Sequence, residues 1–405
     1  MEQNTLQKNP YQIGVGTCDI GERAKKYVSE VLESNRLTYG PFSKKFEQMF
    51  AEAHGCKYAV FVNSGTSALR IGLAALKEKY GWDDQDEVII PTITFISDVN
   101  IVVHNNLKVV FVDVDPEHYT IDPVKIEEKI TSRTRAIIPT HLCGLASNMD
   151  PIIALAKKHN LRIIEDACEA SFARYKGKAV GNFSDIACYS TYQAHIITTG
   201  VGGFALTNDP DLAILLRSLA NHGRDGIYMQ IDDDKGKSAD ELREVVNRRF
   251  SFIRPGYSFR ATELEAALGV AELEEGVEKG IEIRQKNVQL LLETLRPFDN
   301  VLQLPTWPES SYHVFMMFPI VVKANSGINR DELVNFLEQY NVETRRLLPI
   351  LDQPFVLKKF GDLSSQFPVG DHLNKNSFYI GCHPSITKEN IEYIGKVFSL
   401  YLHKS

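Results

Sequence analysis

Apolar runs, most of them rich in valine and isoleucine, recur along the first 207 residues, and several are separated by segments of helical length. Such runs, bounded by turn-forming residues, predict strands. They are YAVFV at 58–62, EVIIP at 87–91, KVVFVDV at 108–114, RAIIPT at 135–140, RIIEDA at 162–167, DIACYS at 185–190 and FALT at 204–207. Helices are predicted between several of them, for example at 123–130 and 149–160. Continuous apolar strands that alternate with helices predict an α/β fold, with a mostly parallel central sheet covered by helices on both faces.

Helical periodicity also marks the two ends of the chain. Two amphipathic helices are predicted near the start, on either side of a turn at Thr38–Pro41. A long helix is predicted over 264–295, and short β-rich runs and helices typical of a small α+β unit follow it. We therefore predict a large domain at 1–280, with an N-terminal arm, and a smaller C-terminal domain at 281–405.

The composition is that of a globular protein with a large core: 405 residues, 43% hydrophobic and 24% charged. The formal net charge of −7 offers no basic footprint for nucleic acid or anionic membranes. No apolar run reaches the roughly 20 residues that cross a bilayer, and the polar start lacks the apolar segment of a signal peptide. We expect a cytoplasmic protein without nucleic-acid or membrane partners.

Six cysteines are scattered along the chain without the close spacing of metal ligands. We expect buried free thiols and neither a metal ion nor an iron–sulfur cluster. The glycines of GVGG at 200–203 do not follow the G-x-G-x-x-G spacing and do not open the first βαβ unit. A dinucleotide-dependent dehydrogenase is therefore disfavoured.

Two polar stretches at strand ends carry candidate chemistry. The first is the turn at 63–66, which opens a predicted helix. Free backbone N–H groups at a helix start attract anions, so a phosphate could lie at Gly65 and Thr66, although many such turns bind nothing. The second is the loop after DIACYS, where Ser190 and His195 precede a glycine turn. A lone histidine is more often structural, but loops between rigid strands frequently hold functional groups.

Two further strand ends place side chains where a parallel sheet gathers its ligands. Phe95 follows EVIIP, and a core position is the simpler interpretation of it. Asp166 ends the run RIIED, and Glu169 follows shortly after. A carboxylate at such a place can also do no more than cap the next helix.

These motifs, in this order, resemble those of the pyridoxal-phosphate sugar aminotransferase family, the DegT/DnrJ/EryC1/StrS group. STYQAHIITTGVGG at 190–203 matches the family's SFYxxKxxTTGEGG, and His195 stands where the family has its Schiff-base lysine. The SGT turn, EDA at 165–167 and GYSFRATELEAALG at 256–269 match further family motifs. The resemblance runs from about residue 14 to residue 394 and implies the fold-type I aminotransferase architecture.

The resemblance also implies roles for individual residues. The cofactor would be held through its phosphate, by stacking on its ring and by a carboxylate at its pyridine nitrogen, the role of Asp166. The implied cofactor contacts are Gly65, Thr66, Phe95, Asp166, Glu169, Ser190 and Ser258, and the implied substrate contacts are Tyr39, Arg260 and Arg345. In the family, the segment that contains Ser258 serves the cofactor of the neighbouring subunit, which implies a homodimer with composite sites.

The histidine determines which activity the resemblance implies. Within the family, histidine at the lysine position, preceded by alanine as at Ala194, is similar to the 3-dehydratases of nucleotide-linked 4-keto-6-deoxyhexoses. Imidazole forms no Schiff base with the cofactor, but it can take and return a proton. Pyridoxal phosphate or pyridoxamine phosphate would then be bound non-covalently, with glutamate as the amino donor and His195 as the base.

The cysteine pattern bears on the route. Iron–sulfur-dependent dehydratases similar to this family place clustered cysteines near the polar segment 222–249, whereas this chain has none between Cys188 and Cys382. The colitose-type route is therefore expected, in which the eliminated product is hydrolysed to a 3-deoxy-4-keto sugar.

Departures from the family pattern leave other functions open. Val201 replaces the glutamate of TGEGG, Ser258 replaces an asparagine, and Glu169 stands where glutamine or aspartate is commoner. An aminotransferase-like enzyme that works without the lysine would add an amine to the sugar and remove no oxygen. A catalytically silent sugar-nucleotide or cofactor-binding protein would show no change of cofactor colour with glutamate.

Overall fold

The computed structural model describes residues 6–226 and 234–403. Residues 227–233 of the polar segment 222–249 lie outside the described residues. Among the described residues, the α-helices are α1 (Glu22–Glu33), α2 (Pro41–Ala53), α3 (Gly65–Tyr80), α4 (Ile96–His104), α5 (Met149–His159), α6 (Pro210–Ala220), α7 (Ala239–Arg248), α8 (Glu263–Glu275), α9 (Val277–Leu295), α10 (Arg330–Gln339), α11 (Pro354–Phe360), α12 (Pro368–Asn376) and α13 (Lys388–Leu402). The β-strands are β1 (Tyr58–Val62), β2 (Glu87–Pro91), β3 (Lys108–Val112), β4 (Thr134–Ile137), β5 (Arg162–Asp166), β6 (Arg174–Tyr175), β7 (Lys178–Ala179), β8 (Ile186–Ser190), β9 (Gly203–Thr207), β10 (Leu302–Gln303), β11 (Ser311–Tyr312), β12 (Phe318–Val322) and β13 (Ser377–Ile380).

A seven-stranded sheet forms the centre of the molecule, in the order β1-β9-β8-β5-β4-β2-β3. All neighbouring strands are parallel except β9, which runs antiparallel to both β1 and β8. Successive residues of β2 enter different apolar cores: Ile89 packs into one, and Val88 and Ile90 pack into the other. The sheet is therefore covered on both faces, which confirms the predicted α/β fold.

Helix α3 shows why the elements form where the apolar pattern predicts them. The Ser64 side chain caps the helix start, and Gly81 ends the helix with a left-handed φ of 62°. Leu69, Leu73 and Leu76 lie on one side of the helix and are fully buried. Each such leucine stabilises the fold by roughly 1.5–3 kcal/mol, so burial fixes the helix against the sheet and positions its first turn.

Two predicted helices differ from the structure. Residues 123–130 form two 3₁₀ turns, Pro123–Lys125 and Glu127–Lys129, because a segment this short does not repay the cost of starting an α-helix. The helix predicted over 264–295 is divided into α8 and α9 at Gly276, where φ is 91°. Glycine tolerates this φ and sets the direction in which α9 leaves α8.

The C-terminal part contains a second sheet of three strands, in the order β10-β12-β13. Its apolar core also includes Ile13, whose backbone pairs with Val342. The first described residues thus pack on the C-terminal sheet, while the division at 280 stays a prediction. No helix in the described part of the chain is long and apolar enough to cross a membrane.

Candidate active site

The N-terminus of α3 lies against the ends of two strands of the central sheet. A Cβ added to Gly65 would lie 2.6 Å from Cys168 Sγ and 2.9 Å from Ser190 Cβ. A Cβ added to Gly203 would lie 2.4 Å from the Gly65 nitrogen. Only glycine at both places allows this close approach, so the first turn of α3, Ser190 and Cys168 form one cradle.

This cradle suits an anion. The first N–H groups of an α-helix have no acceptor within the helix, and they carry the positive end of its dipole. Thr66 is the second residue of α3, and Ser190 lies against Gly65, so the hydroxyls of both residues are close to the helix start. Thr66 is exposed, whereas Ser190 is 7% exposed. The structure therefore brings together Gly65, Thr66 and Ser190, and a phosphate group fits the donors that they offer.

Three acidic side chains lie at the carboxyl end of β5 and on the neighbouring α4; we call Asp98, Asp166 and Glu169 the carboxylate cluster. Asp166 is 2% exposed, and its Oδ1 accepts a hydrogen bond of 3.0 Å from the Cys168 amide. Burial raises the pKa of Asp166 above its usual range, although donated hydrogen bonds oppose the shift. Asp166 does not merely cap a helix, because no helix begins within the next several residues.

Glu169 connects the carboxylate cluster to the C-terminal sheet. Its Oε2 accepts a hydrogen bond of 2.8 Å from the amide of Cys143, a residue with a left-handed φ of 57°. Burial raises the pKa of Glu169 to about 7, and the nearby Asp166 adds to the shift. Burial also raises the pKa of Tyr379 in β13, and the charge of Glu169 adds to this shift.

Phe95 immediately precedes α4 and is 55% exposed. The simpler interpretation from the sequence, a core phenylalanine, is therefore wrong. Its ring is free of the core and offers a face for stacking.

Residues 191–202, which we call the histidine loop, join β8 to β9 and carry His195. The Nδ1 of His195 lies 3.2 Å from the carbonyl oxygen of Tyr192. Because a carbonyl accepts, Nδ1 carries the hydrogen and Nε2 keeps a free lone pair. Burial lowers the pKa of His195 to about 4; the Tyr192 carbonyl opposes this shift and the charge of Arg284 adds to it. The imidazole is accordingly an unprotonated base at neutral pH.

His195 faces a cavity of about 760 Å³. Glu272 of α8, Arg284 of α9 and Cys18 of the N-terminal segment line the same cavity. The Thr198 amide donates a hydrogen bond of 2.8 Å to Glu272 Oε2, and burial raises the pKa of Glu272 to about 7. Helix α8 thus anchors the histidine loop from the side of the cavity.

The two ends of the histidine loop are also joined to each other. The Thr199 amide donates to the Thr191 carbonyl at 2.8 Å, and the two hydroxyl oxygens are 2.6 Å apart. On the outer side, a Cβ added to Gly16 would lie 3.1 Å from Ala194 Cβ. The N-terminal segment therefore covers the loop next to His195.

Ser258 and Arg260 lie beside the start of α3 but point outward. The Asn63 amide donates to the Phe259 carbonyl at 2.8 Å, which joins their segment to the turn before α3. Both side chains are exposed, and Arg260 Nη2 donates to Ser258 Oγ at 2.9 Å. Arg260 Nη2 also lies 3.1 Å from His222 Nε2. Their exposure is compatible with the predicted service to a neighbouring subunit, which stays a prediction.

Tyr39 has a φ of 42°, and contacts within the chain engage its hydroxyl. This hydroxyl donates to Glu47 Oε2 at 3.0 Å and accepts from Arg217 Nη1 at 2.6 Å. A hydrogen bond from this hydroxyl to a substrate would have to replace one of these, so the role of Tyr39 in substrate binding stays a prediction.

Arg345 is exposed at the edge of the C-terminal sheet. Its backbone pairs with Tyr379, and its guanidinium donates to the Thr344 carbonyl at 2.8 Å and pairs with Glu343. The backbone partner of Arg345 is thus the tyrosine whose pKa the charge of Glu169 helps to raise.

Sequence reasoning missed three residues around this site: Asp98, Glu272 and Tyr379. Asp98 had a signal, since it is an acidic residue in the apolar segment ISDVNIVVH, which directly follows Phe95. Glu272 had none, because it is one of several glutamates in α8 and nothing in the sequence sets it apart. Tyr379 reaches the site only through strand pairing, which the sequence does not display.

The six cysteines are free. Four are buried as expected, Cys168 is half-buried in the cradle, and Cys18 is exposed because it lies in the irregular segment before α1. Within residues 6–226 and 234–403, no group of three or more histidine, cysteine or acidic side chains is arranged to hold a metal ion.

Known proteins match the chain over most of its length. The family model of the DegT/DnrJ/EryC1/StrS aminotransferase family matches residues 18–399. GDP-perosamine synthase of Caulobacter vibrioides is 31% identical over 385 residues, which cover 95% of this chain and 96% of that protein.

Two solved structures share the fold with a TM-score of 0.85 and 27% identity. One is the Escherichia coli GDP-4-keto-6-deoxy-D-mannose-3-dehydratase with bound hydrated PLP, with 96% of this chain and 99% of that chain covered. The other is the aminotransferase from Psychrobacter cryohalolentis, with 98% and 99% covered. The equal scores mean that the fold alone does not distinguish a dehydratase from an aminotransferase. Together with the order of the motifs, these matches show that the chain belongs to the DegT/DnrJ/EryC1/StrS aminotransferase family of pyridoxal-phosphate-dependent, sugar-modifying enzymes.

Proposed function

We propose that this chain is a 3-dehydratase that removes the oxygen at carbon 3 of a nucleotide-linked 4-keto-6-deoxyhexose. The observation that carries the proposal is His195, which occupies the loop position of the family's Schiff-base lysine. The pKa of its imidazole is lowered by burial to about 4, so the group is ready to accept a proton at neutral pH. The structural likeness to the E. coli 3-dehydratase supports the proposal.

The described residues fit pyridoxal phosphate or pyridoxamine phosphate bound without a covalent bond. The cradle at Gly65, Thr66 and Ser190 would take the phosphate, and the exposed ring of Phe95 would stack on the pyridine. The buried carboxyl of Asp166 would meet the pyridine nitrogen, and Glu169 would lie at the edge of the ring. The PLP bound to the E. coli relative supports this assignment.

When bound in its amine form, the cofactor would supply an amine for the 4-keto group and a ring that accepts electrons. His195 would do the proton work. Its Nε2 would take a proton from the methylene carbon that bears the amine and pass it to the hydroxyl that leaves carbon 3, which departs as water. The proton is thus returned in the same turnover, and His195 is ready for the next substrate.

The absence of a lysine side chain at position 195 also directs the outcome. A lysine at this position would recapture the cofactor and favour amine transfer. Histidine removes this competitor. Within the described residues, no group of three or more cysteine, histidine or acidic side chains is arranged to hold a metal ion. The lack of cluster ligands favours the colitose-type route, with hydrolysis of the eliminated product and glutamate as the amino donor.

We assign substrate binding to residues at the periphery of the proposed cofactor site. Arg345 offers a planar donor fork for a sugar or for the carboxylate of the amino donor. Tyr39 and Arg260 would border the nucleotide sugar. Ser258, exposed beside α3, would donate to the cofactor phosphate of a second subunit, so the active form would be a homodimer.

Mass spectrometry of the sugar product tests this function. The protein is incubated with pyridoxal phosphate, glutamate and a panel of nucleotide-linked 4-keto-6-deoxyhexoses. We expect a ketone that has lost the oxygen at carbon 3, and no such product from a His195→Asn control. An amino sugar with its other oxygens intact would instead identify an aminotransferase without its lysine. No change in any sugar of the panel would favour a catalytically silent binding protein.

Mixing two inactive variants tests the composite site. Dimers of either variant alone, His195→Asn or Arg260→Ala, should be inactive. If each site takes His195 from one subunit and Arg260 from the other, one site of a mixed dimer carries both changes and the other site carries neither. Random assortment should then restore about a quarter of the wild-type activity. No recovery after verified subunit exchange would show that Arg260 acts within its own subunit.

A further inference from the structure

The family resemblance gives no role to Asp98, which is fully buried in the first turn of α4. Its Oδ2 accepts hydrogen bonds from the hydroxyls of Thr94, at 2.5 Å, and Thr140, at 3.0 Å. Its Oδ1 is buried and receives no hydrogen bond from any described group. A buried carboxylate oxygen without a donor is costly, so Oδ1 must be satisfied in another way.

Asp166 is the neighbouring carboxyl group, and both its charge and a hydrogen bond between the two side chains contribute to the raised pKa of Asp98. Thr140 also lies next to Asp166, because their backbones form a bridge between the neighbouring strand ends. Two ionised carboxylates cannot hydrogen-bond to each other, since both only accept. A single proton between them satisfies Oδ1 and removes the repulsion.

We propose that Asp98 carries this proton on Oδ1 and donates it in a hydrogen bond to Asp166, and so holds Asp166 ionised and correctly oriented for the cofactor's pyridine nitrogen. Asp98 is then a positioning residue that acts through Asp166. The consequence for the cofactor rests on the proposed function, whereas the shared proton belongs to the chain alone.

The distribution of charge supports this placement of the proton. Burial raises the pKa of Asp98 well above its usual range, and the charge of Asp166 raises it further. Burial also raises the pKa of Asp166, but hydrogen bonds from Cys168 and Asp98 oppose that shift. The other titratable groups around the pair are Glu169, His141 and the thiols of Cys168 and Cys188. The charge of Asp166 adds to the raised pKa of Glu169, and His141 Nε2 is 2.9 Å from Glu165. Burial raises the pKa of both thiols, so they stay neutral. They therefore do not change the charge around the carboxyl pair that shares the proton.

The donated hydrogen bond would tune the pyridine nitrogen. An Asp166 that receives a hydrogen bond is a weaker base than an isolated buried carboxylate. A proton between Asp166 and the pyridine nitrogen then stays on the nitrogen, which keeps the ring electron-accepting. Without the donor, Asp166 would compete for that proton.

Nuclear magnetic resonance of the full chain with 13C-labelled aspartate carboxyls tests the shared proton without cofactor or sugar. We expect one buried aspartate that stays protonated at neutral pH in the wild type and is missing from Asp98→Asn. A wild-type spectrum without a protonated aspartate, or an unchanged signal in the variant, would overturn the proposal. This result is independent of the sugar assay, so the two proposals can fail separately.

The bound cofactor gives the second readout, through ring-15N-labelled pyridoxal phosphate. Asparagine has the same shape as a protonated aspartate and can donate to Asp166 while accepting from Thr94 and Thr140. We therefore expect Asp98→Asn to keep a protonated ring nitrogen and wild-type affinity. Asp98→Ala should move the nitrogen signal towards the neutral form and weaken binding about tenfold, the effect of about 1.4 kcal/mol. If Asp98→Asn shifts the signal as far as Asp98→Ala, or if neither variant shifts it, Asp98 has no such role.

Discussion

The carboxylate cluster and the histidine loop use burial in opposite directions. In the carboxylate cluster, burial raises the pKa of Asp98 and Asp166, and it raises that of Glu169 to about 7. In the histidine loop, burial lowers the pKa of His195 to about 4. In both regions the neutral form is favoured, because a low-dielectric surrounding disfavours charge of either sign.

The comparison shows how burial favours a neutral acid in one region of the chain and a neutral base in another. In water near pH 6, aspartate would be ionised and imidazole largely protonated. In the folded chain the Asp98–Asp166 pair keeps a proton while His195 lacks one. The two regions also differ in support: strand ends and α4 fix the carboxylate cluster, whereas the histidine loop is held by Glu272 and by its own ends.

His195→Asn should have the largest effect, since it removes the proposed base and keeps a polar group of similar size. General-base catalysis typically contributes 10²–10⁴-fold, so we expect kcat to fall by about 10³-fold. Cofactor affinity should change little, because the loop does not hold the phosphate. A titration of pyridoxal phosphate beside the sugar assay checks this separation. A variant that loses both binding and turnover would show that the loop supports the cofactor site instead.

Asp166→Asn should lower activity by about 10²-fold, because the amide cannot hold a proton on the pyridine nitrogen as a carboxylate does. The variant should unfold at a higher denaturant concentration than the wild type, since a buried ionisable group is removed. Opposite changes of activity and stability are thus expected, and urea unfolding together with the sugar assay checks both. Equal losses of activity and stability would mean that Asp166 is chiefly structural.

The pH dependence of stability should differ in sign between the two regions. The pKa of Glu169 is raised to about 7 in the folded chain, so its stabilising contribution is complete below about pH 4.3 and is lost as the pH rises through 7. Between about pH 5 and 8, the free energy of unfolding should therefore fall less for Glu169→Gln than for the wild type, and the difference should be roughly 1–2 kcal/mol.

The histidine gives the reverse case. The pKa of His195 is lowered, so stability is complete above about pH 6.5 and is lost as the pH falls towards 4. His195→Asn should lose less stability than the wild type over that acidic range. Urea unfolding of both variants across pH measures the two slopes. Slopes of the same sign would contradict the comparison.

Glu272 should show the smallest effect, because it acts through the loop. Glu272→Gln keeps an acceptor for the Thr198 amide, so we expect less than a twofold change in kcat. Glu272→Ala removes the anchor, and loss of one such hydrogen bond, about 1 kcal/mol, predicts a fall of roughly fivefold. If the glutamine variant were as slow as the alanine variant, the charge of Glu272 and not its hydrogen bond would support His195.

Local pattern was sufficient to predict much of the fold, whereas the roles of the site residues, which the family resemblance implies, stay predictions. Runs such as EVIIP, RIIED and IACYS specify buried strands. Asp166 and Ser190 are the last residues of two of these strands, and Phe95 lies in the loop after the first. The turn before α3 needs only a capping serine and a glycine, both visible in SGT. These features depend on neighbours in the sequence.

Contacts between distant segments could not be predicted in this way. Asp98 lies in α4, which follows β2, and Asp166 ends β5. In the sheet only β4 separates β2 from β5, whereas in the sequence both β3 and β4 lie between them. The break at Gly276 and the hydroxyl of Tyr39, engaged by Glu47 and Arg217, likewise depend on tertiary packing. The domain division, the homodimer and the cytoplasmic location stay predictions.

The most direct test of the account follows the proton that His195 is proposed to move. Pyridoxamine phosphate with deuterium on its methylene carbon is loaded onto the protein, and a single turnover is run with the keto sugar that the product assay selects. We expect one deuterium to reach water for each oxygen lost from carbon 3, and no release above background from the His195→Asn variant. Release from that variant at the wild-type rate would contradict the assignment of His195 as the base.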